Sequence, residues 1–194
     1  MVMNETLPSA QQPVVTPPPS KSAHRFFEMR YWVRDLILSL LLAFVVIFFL
    51  YQPVQVEGTS MAPRLTPHER ILVNKLTYRV GPIKRGDIVV FRFPLDPSKS
   101  YIKRVVGLPG EWVSLTDGQV LINGAPLDEP YLPARDHDHH THMPVRVGAG
   151  QYYVLGDHRA MSNDSRVWGT VDQKFIYGKA VFAYWPVSEL GPVE

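Results

Sequence analysis

A mostly β domain behind one amino-terminal transmembrane helix is the fold class this sequence predicts. Residues 36–50 form an apolar run without a single charge. Beyond residue 52 the chain breaks into short alternating or apolar segments, separated by turn signals such as Asp117-Gly118 and Asn123-Gly124. No long amphipathic helical pattern intervenes, and no segment recurs as a tandem repeat.

Taken in order, residues 1–30 are expected to be a disordered, proline-rich cytoplasmic tail. Pro8, Pro13, Pro17, Pro18 and Pro19 lie there among polar residues, with too little apolar surface to fold. Residues 31–51 are read as the anchor: 21 residues give roughly 30 Å of helix, the thickness of a hydrocarbon core. Tyr31, Trp32 and Tyr51 suit the interfacial aromatic belts, and Arg34 can snorkel to the headgroups. Pro53 is expected to end the helix. No small-x-small cleavage site follows the run, which argues against a removed leader. Lys21, Arg25, Arg30 and Arg34 precede the span, whereas only Arg64 and Arg70 follow closely. That bias places the amino terminus in the cytoplasm and residues 52–194 outside.

Within 52–194, strands are expected at Ile88–Phe91, Tyr101–Val106, Trp112–Leu115, Gln119–Ile122, Gln151–Leu155 and Lys179–Trp185. Residues 126–150, with Pro126, Pro130, Pro133, Pro144, His137, His139, His140 and His142, read as an exposed insertion.

Composition narrows the function. The chain has 194 residues, 45 % hydrophobic and 20 % charged, enough for one packed domain plus the anchor. Net charge is +2 with no basic block, so nucleic acid is not an expected partner. Cysteine is absent, which removes disulfides, thiolate metal sites and a cysteine nucleophile.

Three segments carry chemistry. Ser60 stands between Glu57-Gly58-Thr59 and Met61-Ala62-Pro63, where glycine allows unusual backbone angles and proline stiffens the exit. Lys103 lies in a strand-like stretch, sharing a face with Tyr101 and Val105 while Ile102, Arg104 and Val106 share the other. A serine needs a base to attack a carbonyl, and a lysine kept neutral in a dry site is one solution. Lowering the amine from about 10.4 to about 7 costs roughly 4–5 kcal/mol, which apolar burial can supply. The third segment, Gly156 to Arg166, is polar between apolar flanks; Asp164 and Arg166 could pair, and Ser162 could hydrogen-bond the lysine amine.

The segments Ser60 to Leu65, Gly86 to Phe91, Tyr101 to Gly110 and Gly156 to Arg166 resemble, in order, four motifs of the bacterial type I signal peptidases, the serine–lysine leader peptidases. The resemblance implies Ser60 as nucleophile, Lys103 as general base, Ser162 as the group that positions it, and Asp164 and Arg166 as braces. It implies that the Ser60 N–H stabilises the oxyanion. Met61, Leu65, Ile71, Val90, Tyr101 and Ile102 would line shallow pockets for small residues at the first and third positions before the cut. It further implies a coiled antiparallel β-sheet domain, exported preproteins as substrates, membrane lipids around the anchor, a monomer, and no metal or cofactor. Departures from the pattern are Gly58 where some relatives carry a serine oxyanion donor, Arg64 for threonine, Glu111 for aspartate and His158 for asparagine.

The anchor fits this reading, since Ser60 is nine residues beyond Tyr51 and within roughly 30 Å of the bilayer surface. Rival readings are a Ser60–His158–Asp157 hydrolase, a metal-binding module on Asp136 to His142, and a self-cleaving repressor. Adjacent Asp157 and His158 would diverge on a strand, the histidine spacing suits tetrahedral coordination poorly, and no DNA-binding segment precedes the anchor.

Overall fold

The computed structural model describes residues 21–133 and 139–193, with residues 21–28 as backbone only. It divides into a helical unit ending at Val45 and a β unit starting at Val46.

Helix α1 spans Lys21–Leu50. It begins ten residues before the expected start, which corrects the view of residues 21–30 as disordered tail. No proline or glycine occurs between Lys21 and Leu50, so a helix nucleated in the apolar run propagates backward at one hydrogen bond per residue. Residues 1–20 lie outside the described residues. Met29–Leu50 is long and apolar enough to cross a membrane, and its apolar side chains are exposed along its length. The helix stops at Leu50, ahead of Pro53, because the next residues pair as a strand.

That strand, β1 (Tyr51–Gln55), is antiparallel to β2 (Arg70–Asn74) and lies at the sheet edge, where the missing N–H of Pro53 is tolerated. The larger sheet continues through β3 (Ile88–Phe93), β4 (Asp96–Gly107), β9 (Gln151–Leu155), β10 (Val171–Asp172), β11 (Ile176–Trp185) and β12 (Gly191–Pro192). Its order is β1-β2-β11-β3-β4-β9-β10, with β12 beside β11. A smaller sheet runs β7-β6-β5-β8, from β5 (Trp112–Thr116), β6 (Gln119–Ile122), β7 (Ala125–Pro126) and β8 (His142–Arg146). Every pairing is antiparallel, and the sheets remain open. Short helices α2 (Thr77–Val80) and α3 (Ser165–Trp168) complete the set.

The turn residues act as expected. Asp117 and Gly118 have φ of 47° and 79°, the left-handed pair that a two-residue hairpin requires between β5 and β6. Gly107 ends β4 where the sheets meet; a Cβ there would stand 2.4 Å from Val113 Cγ2 and 2.9 Å from Tyr153 Cβ. The bend carries β5 onto the first sheet, and Val106, Val113, Leu115, Val120, Tyr153 and Leu155 fill the space between.

The insertion expected at 126–150 is narrower than its composition suggested. β8 pairs with β5 through Val113↔Val145, and Val147 is buried. Pro144 fits because β8 is an edge strand. Leu132 is also buried, so the entry to the segment packs on the domain.

Candidate active site

Ser60 sits in the turn region between β1 and β2. Gly58 has φ of +78°, with nothing within 4 Å of where a Cβ would stand, so this glycine is needed for its backbone angle, not for space. The Ala62 N–H donates to Thr59 O at 3.0 Å and the Leu65 N–H to Met61 O at 2.8 Å, which closes the turn. Met61 and Leu65 plug it into the core with 2 % and 0 % exposure. The Ser60 carbonyl accepts from the His158 N–H at 3.1 Å. Among the described residues the Ser60 N–H itself has no hydrogen-bond partner.

Lys103 reaches Ser60 from β4. That strand is interior, flanked by β3 through Val89↔Lys103 and by β9 through Arg104↔Leu155, so both of its edges are paired here. Lys103 and Arg104, neighbours in sequence and so on opposite faces of the strand, are both buried, which shows that both faces are covered here. Lys103 Nζ lies 2.6 Å from Ser60 Oγ and donates to Ile102 O at 3.0 Å; the Tyr101 ring is centred 5.5 Å away. Burial pushes the amine from 10.5 down to about 8, helped by Arg166 and opposed by the Asp164 and Asp157 carboxylates. These carboxylates limit the downward shift that burial produces.

Between β9 and α3, the chain is organised by charge. Asp164 is fully buried and pairs with Arg166 through Nε–Oδ1 and Nη2–Oδ2 contacts of 2.8 Å each. Its Oδ2 accepts the Gly156 N–H at 3.0 Å, while its Oδ1 caps α3 through the Arg166 N–H. Gly156 is a site of close approach: a Cβ would stand 2.2 Å from Ser162 Oγ and 2.4 Å from Ser60 O. Ser162 is thus beside the nucleophile, but its buried hydroxyl makes no hydrogen bond to Lys103. This corrects the expectation that Ser162 binds the amine; the Ser60 hydroxyl and Ile102 carbonyl occupy that place.

A groove of about 840 Å³ opens on this pair. Met61, Val90, Tyr101 and Ile102 line it, as do Val54 of β1 and Val56 just beyond that strand. Leu65 and Ile71, expected at the pockets, do not. Both are fully buried behind the wall, because Leu65 closes the Ser60 turn and Ile71 is one of the two inward residues of β2.

Other residues were not legible as members of the site. Asp157 holds Arg104 through two contacts, Nε–Oδ1 at 2.9 Å and Nη2–Oδ2 at 2.7 Å. With both oxygens engaged and His158 Nδ1 buried without a partner, Ser60, His158 and Asp157 do not form a triad. Adjacent Lys103 and Arg104 signalled that something must neutralise a buried guanidinium, but nothing in the sequence pointed 53 residues on. Of the histidine segment, Asp136, His137 and Asp138 lie outside the described residues, and no cluster able to hold a metal lies among those described.

The family model "Signal peptidase, peptidase S26" matches residues 29–185. A signal peptidase I of Leptolyngbya laminosa is 40 % identical over 167 residues, 82 % of this chain and 81 % of the relative. A signal peptidase I of Bacillus licheniformis is 37 % identical over 88 % of this chain and 96 % of its own length. A crystal structure of a signal peptidase I from Enterococcus faecalis V583 is 31 % identical, covering 52 % of this chain and 97 % of that one with a TM-score of 0.46. On the model match and the two sequence relatives, this chain belongs to the signal peptidase family, peptidase S26.

Proposed function

We propose that this membrane-anchored peptidase removes amino-terminal signal peptides from exported preproteins, with Ser60 as nucleophile and Lys103 as general base. The observation that carries the assignment is the 2.6 Å separation of Nζ and Oγ at an amine held near pH 8 by burial. The neutral amine takes the Ser60 proton as Oγ attacks the scissile carbonyl. The Ser60 N–H, which has no hydrogen-bond partner among the described residues, receives the oxyanion. The resulting ammonium returns its proton to the leaving amine, freeing the mature chain and leaving the signal peptide as an ester on Ser60. Water, deprotonated by the same amine, then hydrolyses that ester. Asp164 and Arg166 hold the loop that seats Ser60 and Ser162.

The substrate enters as an extended strand beside β1, whose outer edge is unpaired in the sheet. Met61, Val90 and Ile102 make that wall apolar, which supports small apolar side chains before the cut. Lys21, Arg25, Arg30 and Arg34, in the amino-terminal half of α1, support a cytoplasmic amino terminus with the β unit on the outer face. Every group invoked comes from one chain, so a monomer suffices.

The test is cleavage of a preprotein with an Ala-x-Ala site by the wild type, Ser60→Ala and Lys103→Ala. Each substitution is expected to lower kcat by at least about 10³-fold. Near-normal processing by either variant overturns the assignment.

A further inference from the structure

The segment between β7 and β8 carries a carboxylate that the mechanism above does not use. Glu129 sits on a loop, yet its side chain is only 5 % exposed. Its Oε2 accepts from Arg159 Nη1 at 3.1 Å and its Oε1 from Arg159 Nη2 at 2.5 Å. Tyr131 donates its hydroxyl to the same Oε1 at 2.6 Å. Burial first, and the Glu129 carboxylate second, raise the Tyr131 hydroxyl far above its ordinary value, so it remains a donor.

Two lines of contact run from this pair toward the dyad. In the first, Arg159 is 1 % exposed at its side chain and donates Nε to Gly156 O at 3.1 Å, while its own carbonyl accepts Arg166 Nη2 at 2.6 Å. Gly156 is the residue against which the Ser60 carbonyl and the Ser162 hydroxyl lie. In the second, the Tyr131 ring centre is 3.9 Å from the Arg104 guanidinium, on the residue next to Lys103. A buried ion pair is a poor source of stability, because desolvation offsets most of the attraction. Its distinctive product is fixed geometry, and here every line ends behind Ser60 or Lys103.

We propose that Glu129 and Tyr131 are positioning residues for the cleavage reaction: together they clamp the Gly156–Arg166 loop and Arg104 so that Ser60 Oγ and Lys103 Nζ stay in register. The proposal rests on the serine–lysine reading above.

Glu129→Gln preserves size but leaves the Arg159 charge uncompensated in a buried site. A displacement of about 1 Å at the dyad costs on the order of 100-fold in rate. The expected result for the full-length protein is a kcat reduced roughly 10–100-fold, with KM within about twofold of wild type. Loosening also admits water to the amine faced by Asp164, Asp157, Arg166 and Tyr101, so the midpoint of the kcat–pH profile moves upward from about 8. Tyr131→Phe keeps the ring on Arg104 and removes only the bond to Glu129; it moves both quantities in the same direction by less, and it decides the matter if Glu129→Gln does not fold.

Both variants are assayed well below their unfolding temperatures beside Lys103→Ala. Unchanged kcat and pH midpoint in a folded variant overturn the clamp, even where the unfolding temperature falls. Near-normal cleavage by Lys103→Ala overturns the dyad itself, so the two failures are distinct.

Discussion

At Lys103 the fold keeps from water an amine that would ordinarily hold its proton to pH 10.5. Activity must therefore rise with pH through about 8, as the buried amine loses its proton and becomes a base. The same shift has a stability cost whose sign is fixed. Below pH 8 the folded state buries a cation that the unfolded chain would solvate. Between 8 and 10.5 the unfolded chain binds the extra proton, so stability climbs with pH. Lys103→Met is accordingly expected to be inactive yet more stable at pH 7, by on the order of 3 kcal/mol. That advantage should shrink as pH rises from 8 toward 10.5, which denaturant titrations at several pH values will measure. A pH-independent difference would show that the amine is not held neutral by its surroundings.

Strand β4 and the loop after β9 act as one element, because Arg104 and Asp157 are 3 % and 1 % exposed and meet in a two-pronged contact. Asp157→Ala leaves a guanidinium buried without its partner, and should destabilise the β unit by about 3–5 kcal/mol in urea unfolding. Replacing both ends, Arg104→Met with Asp157→Leu, should recover most of that loss. At this scale the sequence was legible where local rules suffice. Ile88–Phe91 and the Asp117-Gly118 hairpin follow from β-branched runs and left-handed turn residues, and both stand where expected. β1 and β8 were not foreseen, since Tyr51–Gln55 and His142–Arg146 each contain a proline and acquire strand character from pairing at sheet edges. The Ser60–Lys103 juxtaposition could be read only from motif resemblance. Its residues are 43 positions apart, and no local pattern encodes a contact of that span. Leu65 and Ile71 lie behind the groove wall, and Ser162 lies beside the nucleophile without a bond to Lys103, for a related reason: a motif marks which residues surround a site, but packing decides which reach it.

For the whole molecule, the consequence of α1 is a shared two-dimensional space with substrates that are themselves held in the bilayer. Full-length enzyme reconstituted in the same vesicles as a preprotein is expected to cleave it at least about tenfold faster than when the two occupy separate vesicle populations at equal bulk concentration. Equal rates would remove the anchor from the mechanism. Met61 and Val90 belong both to the groove wall and to the buried cluster that includes Val56, Leu65 and Val73. Enlarging either to reshape the groove overpacks the interior, and trimming either opens a void. Selectivity and foldability are thereby tied to the same atoms, so a lineage cannot drift toward bulkier cleavage sites without first weakening the scaffold that does the cutting.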